Sequence, residues 1–108
     1  MSASGVLYVG MGPPNTVRID VTKTAEDLDF VPADVTSATI EVTMSDRTTA
    51  SWAATVSNVT SAGLRASHTL ATSDVTTAGV IRAWVKMNGP GGWVRSESVT
   101  ILALNPGE

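Results

Sequence analysis

A chain of 108 residues is the length of one domain, since domains usually run to roughly 100–200 residues. Seven basic residues against ten acidic ones leave a net charge of −3, and the basic ones are scattered, so nucleic acid is not an expected partner. The absence of cysteine excludes disulfides, thiolate nucleophiles and cysteine-held metals, and no apolar run approaches the roughly 20 residues of a helical membrane span.

Serine and threonine supply 26 residues and valine 14. β-branched side chains lose χ1 freedom in a helix and pack well on a pleated surface, so this composition favours strands. The opening Met1-Ser2-Ala3-Ser4-Gly5 is uncharged and the next apolar stretch is short and cut by glycine, unlike a secretory signal; a protein made in a cytoplasm is expected. Residues 1–15 read as an extended N-terminal arm able to dock on neighbours. Within it, 5–10 can pair as an edge strand before Gly10-Met11-Gly12-Pro13-Pro14-Asn15 interrupts regular structure. From Thr16 the chain alternates, with Val17, Ile19 and Val21 on one face and Arg18, Asp20 and Thr22 on the other, as a half-buried strand requires. Glu26-Asp27-Leu28-Asp29 and Pro32-Ala33-Asp34 read as loops around a short extended segment at Phe30 and Val31.

Residues 38–44 form the second clear strand, with Ile40, Val42 and Met44 inward, and Ser45-Asp46-Arg47 turns the chain. Residues 50–58 come next, where Trp52, Ala54 and Val56 alternate with polar or small residues and Trp52 is expected in the core. Residues 64–70 place Leu64, Ala66, His68 and Leu70 on one line, followed by a polar crossover over 71–78 with room for one helical turn. Residues 80–87 and 93–104 make the last pair, joined by Asn88-Gly89-Pro90-Gly91-Gly92, whose glycines supply positive φ without steric cost. Six or seven short strands with turns between them and no helical stripe predict an all-β fold. The expected form is an immunoglobulin-like antiparallel β-sandwich over residues 16–108, lacking the hallmark disulfide.

Asp34-Val35-Thr36-Ser37-Ala38-Thr39-Ile40-Glu41-Val42-Thr43-Met44 resembles the D-L-T-G-A-T-V-x-F-T-M stretch of immunoglobulin-like virion proteins of tailed bacteriophages, a group that includes the N-terminal domain of upper baseplate proteins. Gly63-Leu64, then Ser67 to Leu70, Ser73-Asp74-Val75-Thr76-Thr77-Ala78-Gly79 and the series Ile81, Ala83, Val85, Met87 are similar to that family's G-V-V-x-Y-x-W-x-A-A-D-T-A-x-P-G-x-Y-x-A-x-F-x-V run. The family carries aromatics where this chain has His68 and Leu70, and proline at Ala78. The resemblance spans about residues 16–104. It implies a non-enzymatic building block of a phage particle, on the tail, the baseplate or the outside of the head, packed against other virion proteins and copies of itself. The implied location is the virion and the implied state a homo-oligomer within an assembly.

If Ile81, Ala83, Val85 and Met87 face the core, Val80, Arg82, Trp84 and Lys86 face outward. A four-residue loop over 88–91 sets Lys86 opposite Trp93, Trp84 opposite Arg95 and Arg82 opposite Glu97, which puts cations over indoles and an ion pair across the strands. Arg82, Trp84, Lys86, Trp93 and Arg95 are therefore the expected contact surface, with Tyr8 and Met11 from the arm. A register shifted by one instead turns the indoles toward the core. Exposed Trp84 and Trp93 also fit an alternative, the stacking platform of a carbohydrate- or receptor-binding module. His68 is the only histidine and no nucleophile turn accompanies it, so a strand-face role with a local hydrogen-bond partner is expected. Glu26, Asp27, Asp29 and Asp34 match no calcium-loop spacing and read as a solvated acidic loop. Gly10-Met11-Gly12 and the glycines of 89–92 do not continue as phosphate-binding motifs. No catalytic residue, metal or cofactor is expected.

Overall fold

The structure, a computed structural model, describes residues 2–3, 6–22 and 31–107. Its strands, in chain order, are β1 (Ser2–Ala3), β2 (Leu7–Tyr8), β3 (Thr16–Thr22), β4 (Ser37–Thr43), β5 (Thr49–Thr60), β6 (Gly63–Thr69), β7 (Gly79–Gly89), β8 (Gly92–Arg95) and β9 (Val99–Leu104). The helical content among the described residues is a single 3-10 turn at Pro32–Asp34, so the fold is all-β. The expected loop over Glu26 to Asp29 lies outside the described residues, as does Phe30.

The strands build one curled mixed sheet in the order β1-β3-β6-β5-β4-β7-β9-β2, with β8 beside β7. The curl is made by β5, whose first half pairs with β4 up to Ala54 and whose second half pairs with β6 from Thr55 onward. Two sheet halves thereby face each other. Val17, Ile19, Val21, Leu64 and Ala66 of β3 and β6 share one buried cluster with Ile40, Val42, Ile81, Val85 and Ile101 of β4, β7 and β9. Each side chain of this size contributes about 1.5–3 kcal/mol when taken out of water, which is why the period-two pattern decides which face turns inward. Trp52, Leu70, Ala83 and Met87 are buried as expected, whereas Ala54 and Val56 are half-buried where β5 passes from one half to the other.

Local sequence explains the closest approaches. At Gly63 the β6 backbone lies so near β3 that an added Cβ would overlap the Val21 carbonyl oxygen. Arg47 takes positive φ in the β4–β5 turn, where Asp46 Oδ1 accepts the Thr48 backbone N–H at 3.0 Å. The polar crossover holds one hydrogen-bonded turn, Asp74 N–H to the Ala71 carbonyl, and buries Val75.

The N-terminal segment closes on its own domain. β1 pairs antiparallel with β3 on one half of the sheet, and β2 pairs parallel with β9 on the other. Leu7 is buried, and the Val9 and Gly10 N–H groups donate to the carbonyls of Leu104 and Val75. The segment read as an arm for neighbours thus covers edges of this chain's own sheet.

The last hairpin departs from its expected register. Gly89 pairs with Gly92 around the two-residue turn Pro90-Gly91, so Asn88 faces Trp93 and Lys86 faces Arg95. Gly92, at φ +127°, lets the turn close two residues tighter than the expected four-residue loop. The returning strand is then broken. Lys86–Arg95 and Ala83–Val99 are both paired, so residues 96–98 oppose only Trp84 and Val85: a bulge with one extra residue. Ser96 holds it, its N–H donating to the Val85 carbonyl at 2.9 Å and its Oγ accepting the Val85 N–H at 2.8 Å. In consequence Arg82 faces Thr100 and not Glu97, and Trp84 faces the bulge and not Arg95.

Candidate interaction surface

The outer face of β7 presents Val80, Arg82, Trp84 and Lys86, while Ile81, Ala83, Val85 and Met87 fill the core beneath. On one flank β4 sets Thr43 beside Arg82, Glu41 beside Trp84 and Thr39 beside Lys86. On the other, β9 sets Leu102 beside Val80, and β2 sets Tyr8 beside Leu104. Tyr8, Val80, Leu102 and Trp93 are 37%, 52%, 46% and 54% exposed on this one face, the first three at its β9 end and Trp93 beside Asn88 at the hairpin end.

The cation–indole contacts expected from the sequence are made, but between diagonal neighbours. The Arg95 guanidinium sits 4.3 Å from the Trp84 ring centre and Lys86 Nζ lies 5.1 Å from that of Trp93, while the two indoles stand 6.1 Å apart at 33°. Lys86 and Arg95 are directly opposed, an arrangement of like charges that costs energy unless each cation finds another partner. Each indole supplies one, worth about 0.5–1 kcal/mol at an exposed site. Arg95 also donates to the Ser96 carbonyl and Ser98 Oγ, at 3.2 and 3.1 Å.

The neighbouring carboxylate, Glu41, makes no close ion pair with these cations. Glu41 accepts hydrogen bonds from Ser51 Oγ and Thr39 Oγ1. Among the described residues the Asp20–Arg65 ion pair and the His68–Asp74 hydrogen bond both lie elsewhere. A positive aromatic patch of Arg82, Trp84, Lys86, Trp93 and Arg95 therefore stands on a chain of net charge −3. Of the two expected arm contributors, Tyr8 joins this face, whereas Met11 is half-buried against the core. Leu102 was not singled out in the sequence, because its place beside Val80 depends on the β7–β9 register.

Next to the patch, a cleft of about 400 Å³ separates the hairpin tip from the Pro32–Asp34 turn. Val31, Val35, Met87, Trp93 and Val94 line it, with Asp34 as its charged member.

His68 occupies a different place, on β6 with its ring stacked on Trp52 at 5.2 Å. Nδ1 is 2.7 Å from the Ala53 carbonyl, which can only accept, and Nε2 is 2.7 Å from Asp74 Oδ2. Asp74 also accepts the Ala71 N–H. Both ring nitrogens are thus engaged in tying β6 to β5 and to the crossover, and neither is left to act on a nucleophile. Among the described residues no three histidine or acidic side chains converge as a metal site; Glu26, Asp27 and Asp29 of the acidic loop lie outside them, and Asp34 is exposed.

Two exposed carboxylates titrate below the usual aspartate range. The Arg65 guanidinium, hydrogen-bonded to Asp20 at 2.7 Å, lowers that carboxyl, and the Thr48 N–H, with the Thr48 and Thr77 hydroxyls, lowers Asp46.

No protein-family model, curated protein or solved structure matches this chain.

Proposed function

We propose that this chain is an immunoglobulin-like β-sandwich serving as a non-enzymatic structural component of a tailed-phage particle, held there by protein contacts on the outer face of β7. Strand order supports the fold: β1-β3-β6 with the second half of β5 corresponds to the A-B-E-D sheet of such domains, and β4-β7-β9 to C-F-G. The likeness of residues 34–44 and 63–87 to virion sandwiches supports the setting.

The observation that carries the contact surface is that Tyr8, Val80, Leu102 and Trp93 are all exposed along one face of the sheet that also bears three cations. The core needs none of them. Exposed apolar groups clustered with tryptophan and arginine mark surfaces that bind other proteins. The stacking alternative is less favoured, because Arg95 already covers the Trp84 ring and Lys86 lies over Trp93.

The test is competition between wild-type chain and the double variant R82E/W93A for incorporation into particles. The expected result is strong loss of the variant from particles with an unchanged melting temperature of the isolated protein. Full incorporation refutes the proposal, and full incorporation with loss of glycan or cell-surface binding favours the alternative.

A further inference from the structure

We propose that β8 is a docking edge for a second copy of this chain, the two β8 strands pairing antiparallel about a two-fold axis through Val94. This deepens the proposed function by naming one partner, and rests on its reading of the chain as self-assembling.

β8 pairs with β7 on one side, and no strand among the described residues covers its other side. Antiparallel pairs alternate between those that exchange hydrogen bonds and those that do not. Gly89 and Gly92 close the two-residue turn as a bonded pair, so Met87–Val94 is the next bonded pair, while Asn88–Trp93 and Lys86–Arg95 are not bonded to each other. Consistent with this, the Asn88 carbonyl is turned the other way, accepting the Thr36 N–H at 2.8 Å. The backbone N–H and C=O groups of Trp93 and Arg95 therefore point out from the open edge.

That arrangement is self-complementary. With Val94 opposite Val94 of the second copy, Trp93 falls opposite Arg95 and Arg95 opposite Trp93, and each pair exchanges two backbone hydrogen bonds. The same alignment sets an exposed indole beside a guanidinium across the seam, the combination that Arg95 and Trp84 already make within one chain. It also brings residues 96–98 of one copy alongside Pro90, Gly91 and Gly92 of the other. An added Cβ at either glycine would meet nothing within 4 Å, so the space is open. The bulge ends the regular pairing on both sides, which closes the contact as a dimer instead of extending it into a fibre.

Because the chain has no cysteine, V94C introduces a single thiol. In an unbonded antiparallel pair the two Cα atoms lie about 4.5 Å apart, within the range a disulfide spans. Oxidation of dilute V94C is expected to give mainly the linked dimer, while T49C, at the exposed start of β5, stays largely monomeric; melting curves confirm that both variants fold. A second pair tests the alignment: G91E brings a carboxylate near Glu97 of the other copy and G91K brings an ammonium there. Gly91 lacks the positive φ that would forbid either. G91K is expected to dimerise about tenfold more tightly than G91E in sedimentation. The pairing is overturned if V94C links no faster than T49C, or if the two Gly91 variants dimerise alike. Particle incorporation of a chain that fails these tests removes the β8 contact and leaves the proposed function standing; loss of R82E/W93A from particles while V94C still links would leave the β8 contact intact and support the outer-face reading.

Discussion

Ser96 offers a direct measure of how the bulge is held. The residue is 6% exposed, and its Oγ accepts from the Val85 N–H at 2.8 Å while donating to the Glu97 carbonyl at 2.9 Å. In S96A the Ser96 N–H still reaches the Val85 carbonyl, but the Val85 N–H, in the middle of a buried strand, loses its acceptor. Leaving such a donor unpaired costs about 1–3 kcal/mol, whereas the Glu97 carbonyl lies beside exposed residues and regains a bond from water. The expected loss is about 2 kcal/mol, a drop in melting temperature of roughly 8–16 °C for a domain near this size. Urea and thermal unfolding measure the loss, and amide exchange at Val85 should accelerate locally. S98A, at an exposed position of the same bulge, is the control and should change stability by less than about 0.5 kcal/mol. If S96A matches S98A and Val85 exchange is unchanged, the assignment of the Ser96 hydroxyl as ladder acceptor is wrong.

Other expectations follow from single contacts. G63A should destabilise by about 3 kcal/mol or more, because its Cβ meets backbone of β3 that cannot move aside; a mild effect in urea unfolding would contradict the close approach. H68F keeps a ring over Trp52 but removes the hydrogen bonds to the Ala53 carbonyl, which water can reach, and to Asp74, so a loss of about 1 kcal/mol is expected, read by the same assay. Asp20 and Asp46 have folded values below the ordinary 3.8, so their contribution is complete above that value and disappears as pH falls through the lower folded values. NMR titration should place both midpoints below 3.8, and D46N should flatten the acid limb of the stability profile; midpoints at or above 3.8 would refute the hydrogen bonds assigned to them.

Alternation made the core legible, since Val17 to Val21, Ile40 to Met44 and Ile81 to Met87 can satisfy a pleat in one way only. The outer position of Trp84 and Lys86 followed from the same parity. Register was less accessible. The Asn88 to Gly92 segment accommodates a two- or a four-residue loop, and a slip of two residues keeps every side chain on its face while changing every partner. The bulge left no mark in the sequence, where Ser96 looks like any polar strand residue. It nonetheless allows Val94 and Ile101, seven positions apart and thus of opposite parity, to pack toward the same core. That 5–10 pairs at a sheet edge was legible, and Leu7 and Tyr8 do so, but the partner was not: β9 lies at the far end of the chain, and a two-residue parallel pairing carries no periodic signal. The patch joining Tyr8, Val80 and Leu102 needed that long-range pairing before it could be drawn.

The most direct measurement is imaging of the assembled particle at side-chain detail, asking what lies against Trp93, Val80 and Leu102. Protein packed over all three in every copy is the expected result. Copies seated in the particle with that face open to solvent would contradict it.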